Sequence, residues 1–150
     1  MKNLLKLKVI ILLTIVALGA VNCNKNQKAV KRLSGEWKST KVLETVGNNV
    51  TDIATQGVSY TFNFNKCKLN KNDYCNYSVT KVAPLNGTTE TITDNGFYKI
   101  TDDGKTMTTT NNITNGTILT YDIVNLTKKK ATLRTKTNSG KLEIELVKIK

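Results

Sequence analysis

Leu119-Thr-Tyr-Asp-Ile123 is the stretch that decides the fold, because apolar and polar side chains alternate in it at every position. The same period of two recurs in Tyr60-Thr-Phe-Asn-Phe64 and in Leu142-Glu-Ile-Glu-Leu146. In a β-strand this period places all apolar side chains on one face and all polar side chains on the other. The three stretches therefore predict strands that bury one face and leave the other in water.

Short segments of this kind follow one another from Gly35 to the end of the chain, with no apolar helix pattern of ten residues between them. Such spacing predicts an all-β, antiparallel meander, and a meander of eight or nine strands covers its edges most simply by closing into a barrel. The predicted strands are Glu36–Thr45, Val58–Leu69, Tyr74–Val82, Thr88–Thr93, Phe97–Thr101, Lys105–Thr110, Thr117–Leu126, Ala131–Thr137 and Lys141–Ile149.

Residues that favour tight turns separate these segments. Asn-Gly and Asp-Gly pairs adopt the positive φ angles that short hairpins need. The predicted turns are Asn70–Asp73, Asp94–Gly96, Asp102–Gly104, Asn115–Gly116 and Asn138–Gly140.

Composition narrows the range of functions. The chain has 150 residues, a formal charge of +12 and no histidine. Without imidazole, serine–histidine and cysteine–histidine catalysis and histidine metal sites are excluded, and the carboxylates are scattered. The positive charge comes from lysines spread along the chain, with Lys128–Lys130 as the tight run and no aromatic residues between them. We therefore expect neither an enzyme nor a nucleic-acid-binding protein, and no metal or cofactor.

The first 22 residues have the pattern of a secretory signal peptide, an N-terminal signal helix. Lysines precede an apolar run, Val9–Ala20, which is too short to cross a bilayer as a helix. Ala20-Val-Asn-Cys23 resembles the lipobox of bacterial lipoproteins, although Asn22 stands where Gly or Ala is usual. The resemblance implies that Cys23 becomes the acylated N-terminus, carrying chains such as palmitate. Ordinary cleavage that leaves Cys23 as a free thiol is the alternative.

Leu33-Ser-Gly-Glu-Trp37 opens the strand ladder. A Gly-x-Trp at this place resembles the first motif of lipocalins and other calycin barrels. With the upstream cysteine, the chain is similar to the small lipocalin-like lipoproteins of Bacteroidetes. The second lipocalin motif, Thr-Asp-Tyr, and the C-terminal helix are missing. The resemblance implies that Trp37 plugs one end of the barrel and that an arginine packs on it; Arg134 is the candidate, with a solvated strand residue as the alternative.

Three segments follow from this interpretation: a signal peptide over 1–22, a tether over 23–32 and a barrel domain over 33–150. Acidic residues after the cysteine are associated with surface export in the phylum that the sequence resembles, whereas here the stretch is basic. We therefore expect a protein of the cell envelope, anchored through Cys23 to the outer membrane and facing the periplasm.

Cys67 and Cys75 flank a predicted turn, so they are expected to form a disulfide in an oxidising compartment. Direct opposition of the two residues requires a hairpin centred on Lys71, with the three-residue loop Asn70–Asn72. Two small buried side chains on neighbouring strands are the alternative.

Two functions remain. In the first, the barrel binds a small apolar or amphipathic ligand through inward-facing side chains. In the second, the barrel is solidly packed and the protein is a non-catalytic structural or interaction lipoprotein, with no protein partner indicated. The ligand-binding candidates are Tyr60, Phe62, Phe64, Tyr121 and Ile123.

The lipobox predicts the mass of the mature protein. Protein extracted from membranes should start at Cys23 and carry added acyl mass in intact-mass spectrometry, and Cys23→Ala should lose the acyl mass and leave the membrane fraction. Unmodified full-length protein, or a Cys23→Ala variant that still partitions into membranes, would contradict the prediction.

Overall fold

The computed structural model describes residues 25–69, 74–111 and 114–150. The predicted signal peptide, Cys23 and the predicted turn at Asn70–Asp73 lie outside these residues. Residues 25–33 form helix α1, and nine strands with two short 3₁₀ turns make up most of the other described residues. The strands are β1 Gly35–Val46, β2 Asn49–Asp52, β3 Ser59–Phe64, β4 Cys75–Leu85, β5 Thr88–Thr101, β6 Thr106–Thr110, β7 Ile118–Leu126, β8 Lys130–Lys136 and β9 Lys141–Lys148.

The strands form a closed antiparallel barrel, which confirms the predicted fold class. Strands β1 and β3 to β9 make a ring of eight, because β9 pairs back onto β1. Closure removes the sheet edges that an open meander would leave unpaired. A lipocalin-like fold has this same plan of an up-and-down antiparallel barrel.

Strand β2 is the additional strand, and the sequence did not predict it. It pairs with the second half of β1, whereas β3 pairs with the first half. Between them, Ile53–Gln56 forms a 3₁₀ turn. Asp52 stabilises the segment formed by β2 and the 3₁₀ turn, since its Oδ1 accepts hydrogen bonds from the amides of Ala54 and Val42, each at 3.1 Å.

The predicted turn at Asp94–Gly96 is wrong. Strand β5 runs through it without interruption and pairs there with β4, including Tyr77 with Gly96. The glycine is needed for a close approach instead, because a Cβ at Gly96 would lie 2.5 Å from the carbonyl oxygen of Thr110. A glycine inside a strand signals such an approach as well as a turn, and the local sequence does not distinguish the two.

Helix α1 closes the end of the barrel at which β1 begins. Its Val30 and Leu33 are completely buried, and so is Trp37 just after it. The sequence predicts a tether over 23–32 with little to bury over 24–30, and one helical turn running to Leu33 as its alternative form. A helix is present, and the tether prediction is wrong for Ala29 and Val30, which lie in the core. The buried positions are spaced as one face of a helix, a pattern too short to stand out in the sequence.

The disulfide between Cys67 and Cys75 is present, with 5.7 Å between the Cα atoms. The predicted hairpin geometry is wrong, because β3 ends at Phe64 and its pairing with Tyr77 does not centre on Lys71. The bridge therefore ties an irregular segment to the start of β4. Helix α1 holds the same segment, since Gln27 donates to the carbonyl of Cys67 at 3.1 Å and accepts from the amide of Leu69 at 2.7 Å.

No helix in the described ranges has the length and apolar character to cross a membrane.

The close packing of Gly35 gives a stability prediction. Gly35 has φ +116°, and a Cβ there would overlap the carbonyl oxygen of Lys150. Gly47 also has a positive φ, +61°, but nothing lies within 4 Å of the position of its Cβ. We expect Gly35→Ala to lower the free energy of unfolding by about 1–3 kcal/mol more than Gly47→Ala does, because only Gly35→Ala adds an overlap to the backbone cost. Equal losses in urea unfolding would contradict this.

Candidate functional site

The interior of the barrel has two unlike halves. The half next to α1 is filled by large side chains that are at most 2% exposed. Phe62 and Phe64 stack with ring centroids 5.6 Å apart, and Tyr98 meets Phe64 edge-on at 5.2 Å. The other members of this packed half include Trp37, Met107, Leu133, Ile144 and Leu146.

The other half is open, and we call its inward-facing side chains the cup. These residues are only partly buried and pack against the core. The cup consists of Tyr60, Tyr77, Val79, Tyr121, Ile123 and Leu142.

Strand register explains why the cup residues face one another. Directly paired residues of antiparallel strands point to the same side of the sheet. Tyr77 pairs with Phe64, which is buried in the core, and Tyr121 pairs with Met107, which is also buried. Ile123 pairs with buried Leu133 in the same way. These three cup side chains therefore face the barrel interior beside residues of the packed half.

Two phenol groups of the cup, those of Tyr60 and Tyr121, have raised pKa values and therefore stay protonated over a wide pH range. Burial, followed by the negative charges that Tyr77 and Tyr60 would carry, raises the pKa of Tyr121 to about 12. Burial also raises the pKa of Tyr60, and the carboxylate of Glu44 adds to this effect. Negative charge on Tyr60 or Tyr77 would thus act on Tyr121 across the interior, and at neutral pH Tyr60 and Tyr121 are neutral hydrogen-bond donors.

The hydroxyl groups of the cup tyrosines differ from that of Tyr98 in their hydrogen bonding. Tyr98 donates its hydroxyl to the carbonyl of Asn65 at 3.1 Å. Within the described part of the chain, no such protein acceptor is found for the hydroxyls of Tyr60, Tyr77 or Tyr121. A half-buried donor without a protein acceptor is available to water or to a ligand.

A surface pocket of about 500 Å³ lies against β7, β8 and β9, and none of the cup residues lines it. Most of its lining residues occupy outward-facing positions of these strands, and only Leu119 and Thr135 occupy inward-facing ones. Charged side chains, including Asp122, Arg134 and Lys141, surround it on the outer side. Its volume is in the range of pockets that hold one small molecule.

The structure divides the predicted ligand-binding residues between the two halves. Tyr60, Tyr121 and Ile123 lie in the cup, whereas Phe62 and Phe64 belong to the packed half. Sequence reasoning missed Tyr77, although it lies at the correct alternate position of a predicted strand. Its neighbours Cys75 and Val79 are inward-facing too, so the period of two in β4 was a usable signal.

Trp37 lies at the closed end of the barrel, fully buried, and its Nε1 donates to the carbonyl of Leu33. The prediction that Arg134 packs on it is wrong. Arg134 points outward from β8 and forms an ion pair with Glu143, its partner on β9, at 2.6 Å. The cation next to Trp37 is Lys148, whose Nζ lies 5.3 Å from the ring centroid. Trp37 and Lys148 are paired where β9 closes onto β1.

A metal site is not formed by the described residues, in which no three Cys, Asp or Glu side chains cluster.

Comparisons with known proteins do not place the chain in a family. No protein-family model matches this sequence, and no curated protein is significantly similar to it.

The cup predicts a stability loss at alkaline pH. Below pH 10, Tyr121 is protonated in both the folded and the unfolded chain. Between about pH 10 and about pH 12, only the folded state keeps the proton, so the free energy of unfolding should fall as the pH rises through this window. Urea unfolding should show a shallower fall for Tyr121→Phe than for wild type. Tyr74→Phe removes a phenol outside the cup and is the control; identical profiles for wild type and Tyr121→Phe would contradict the prediction.

Proposed function

We propose that this protein is a non-catalytic, lipid-anchored lipocalin-like protein of the cell envelope that binds one small amphipathic molecule in the cup. The observation that carries the proposal is the open half of the barrel, where half-buried tyrosines with unused hydroxyls stand above a fully packed apolar floor. An eight-stranded barrel is just wide enough to hold one small ligand.

The side chains of the cup indicate the chemistry of the ligand. Val79, Ile123 and Leu142 offer apolar surface, which favours a hydrocarbon or ring body through the hydrophobic effect. The phenols of Tyr60 and Tyr121 add neutral donors, which favour a polar group that accepts hydrogen bonds. A fatty acid or a similar single-chain amphiphile combines both features.

One observation favours the alternative, a protein-interaction role. Residues Thr88–Gly96 of β5 pair with β4, while the pairing of β5 with β6 begins only at Phe97. The β4–β5 hairpin therefore projects from the barrel, and its Leu85 and Ile92 are 50% and 44% exposed. A strand with one unpaired side is a surface on which another chain can add a strand.

Binding of a fluorescent fatty acid tests the proposal, with the soluble form that begins at Asn24. We expect a saturable signal that Ile123→Phe weakens by about tenfold or more, because the larger side chain occupies the cup. Val124→Phe is the matched control, since Val124 is the next residue on β7 and is 50% exposed.

Circular dichroism of both variants checks that the barrel is folded. No saturable signal for wild type, or equal weakening by the two variants, would contradict binding in the cup and leave the interaction role as the better explanation.

A further inference from the structure

A second pocket lies at the closed end of the barrel, on the side away from the cup. Its volume is about 420 Å³, and its lining consists of five cationic side chains and no carboxylate. Three come from helix α1, one from the turn between β7 and β8, and one from β9. They are Lys28, Lys31, Arg32, Lys128 and Lys148.

Two of these cations are fixed by backbone carbonyls. Arg32 donates from Nη1 to the carbonyl of Leu126 at 3.1 Å. Lys148 donates from Nζ to the carbonyls of Ser34 and Arg32, while its ammonium group lies over Trp37. The inner wall of the pocket is therefore held in place before any ligand arrives, which lowers the entropic cost of binding.

The turn that carries Lys128 is also held in one conformation. The hydroxyl of Thr127 accepts hydrogen bonds from the amides of Lys129 and Lys130, at 3.3 and 2.9 Å. The amide of Lys148 donates to the carbonyl of Lys129 at 3.0 Å, which ties the turn to β9. Lys128 is thus presented to the pocket by a closed turn rather than by a loose loop.

The positive charge of the pocket is not neutralised by the protein. Nearby carboxylates are paired with other lysines: Asp103 with Lys25 at 3.0 Å and Glu36 with Lys150 at 4.0 Å. Among the described residues, none of the five pocket cations forms a salt bridge. Mutual repulsion of like charges at short range costs stability, and a bound anion would relieve it.

We propose that this pocket binds a phosphate group, with the headgroup of an anionic phospholipid as its source. Five cationic side chains around one small pocket suit an anion with several oxygens and more than one hydrogen-bonding direction. Cys23 precedes Lys28 by five residues, so an anchored chain cannot carry the pocket more than about 18 Å from the acylated cysteine. The lipid source, unlike the phosphate site itself, rests on the proposed anchor at Cys23.

Trp37 provides the readout, since it is the single tryptophan of the chain and lies beneath Lys148. The full chain in micelles of a neutral detergent is titrated with inorganic pyrophosphate while Trp37 emission is recorded. We expect a saturable change that weakens with added salt, because salt screens charge–charge attraction. Lys28→Glu with Lys31→Glu should weaken binding by about tenfold or more.

The control is Lys66→Glu with Lys68→Glu, which changes the net charge equally at exposed positions outside the pocket. Thermal melting of both double variants confirms that they are folded; Lys28 and Lys31 are exposed, so folding is expected. No saturable response up to about 10 mM pyrophosphate, or equal weakening by both pairs of substitutions, would overturn the phosphate site.

Two further titrations identify the source of the phosphate. Micelles doped with phosphatidylglycerol should give the same change in Trp37 emission, and micelles doped with phosphatidylcholine should not. A response to pyrophosphate alone would overturn the lipid headgroup as the source while supporting a site for a soluble phosphate. Because the pyrophosphate titration does not depend on acylation, loss of the anchor and loss of the site give different results.

Discussion

The pairing of β9 with β1 is the constraint on which the rest of the structure depends. It closes the ring of eight strands and leaves neither strand as an open edge. At the end of the barrel that helix α1 closes, the same pairing brings the ammonium group of Lys148 over the ring of Trp37. The carbonyl of Leu33 accepts the hydrogen bond from the indole of Trp37. Because Gly35 has no side chain, the carbonyl oxygen of Lys150 can lie close to this first residue of β1. Barrel closure, the seating of helix α1 and the packing of Trp37 are therefore one arrangement.

This arrangement gives the two ends of the barrel different properties. Helix α1 and Trp37 fill one end with apolar side chains, and the cations of α1, the β7–β8 turn and β9 gather on its outer surface. At the other end, where β3 begins, the 3₁₀ turn Ile53–Gln56 packs Ile53 and Ala54 against the core, and the phenols of the cup stay partly exposed. The two proposed binding sites are chemically distinct for the same reason, one being apolar with neutral donors and one being cationic.

Much of the fold could be predicted from local pattern. The period of two identified most strands and their inward faces, and Asp102–Gly104 is a turn as expected. The failures occur where a local signal has two meanings. A glycine at position 96 is compatible with a turn and with a close contact between strands. Its contact with Thr110, which exists only in the folded barrel, shows that it serves the close contact. The short strand β2 pairs with the second half of β1, and this pairing is evident only in the folded barrel.

The sequence by itself determined the all-β class, the inward faces that contain Tyr60, Tyr121 and Ile123, and the cysteine pair that forms the disulfide. Each of these depends on residues close together in the chain, where period, turn chemistry and spacing carry the information. Only the tertiary structure decided that Lys148 rather than Arg134 meets Trp37, that Tyr77 joins the cup, and that the separate lysines at 28–31 and 128 line one pocket. The physical reason is that such contacts depend on the register in which β9 pairs with β1 to close the barrel. This register pairs residues more than a hundred positions apart, such as Trp37 and Lys148, through the backbone, which any side chain can accompany.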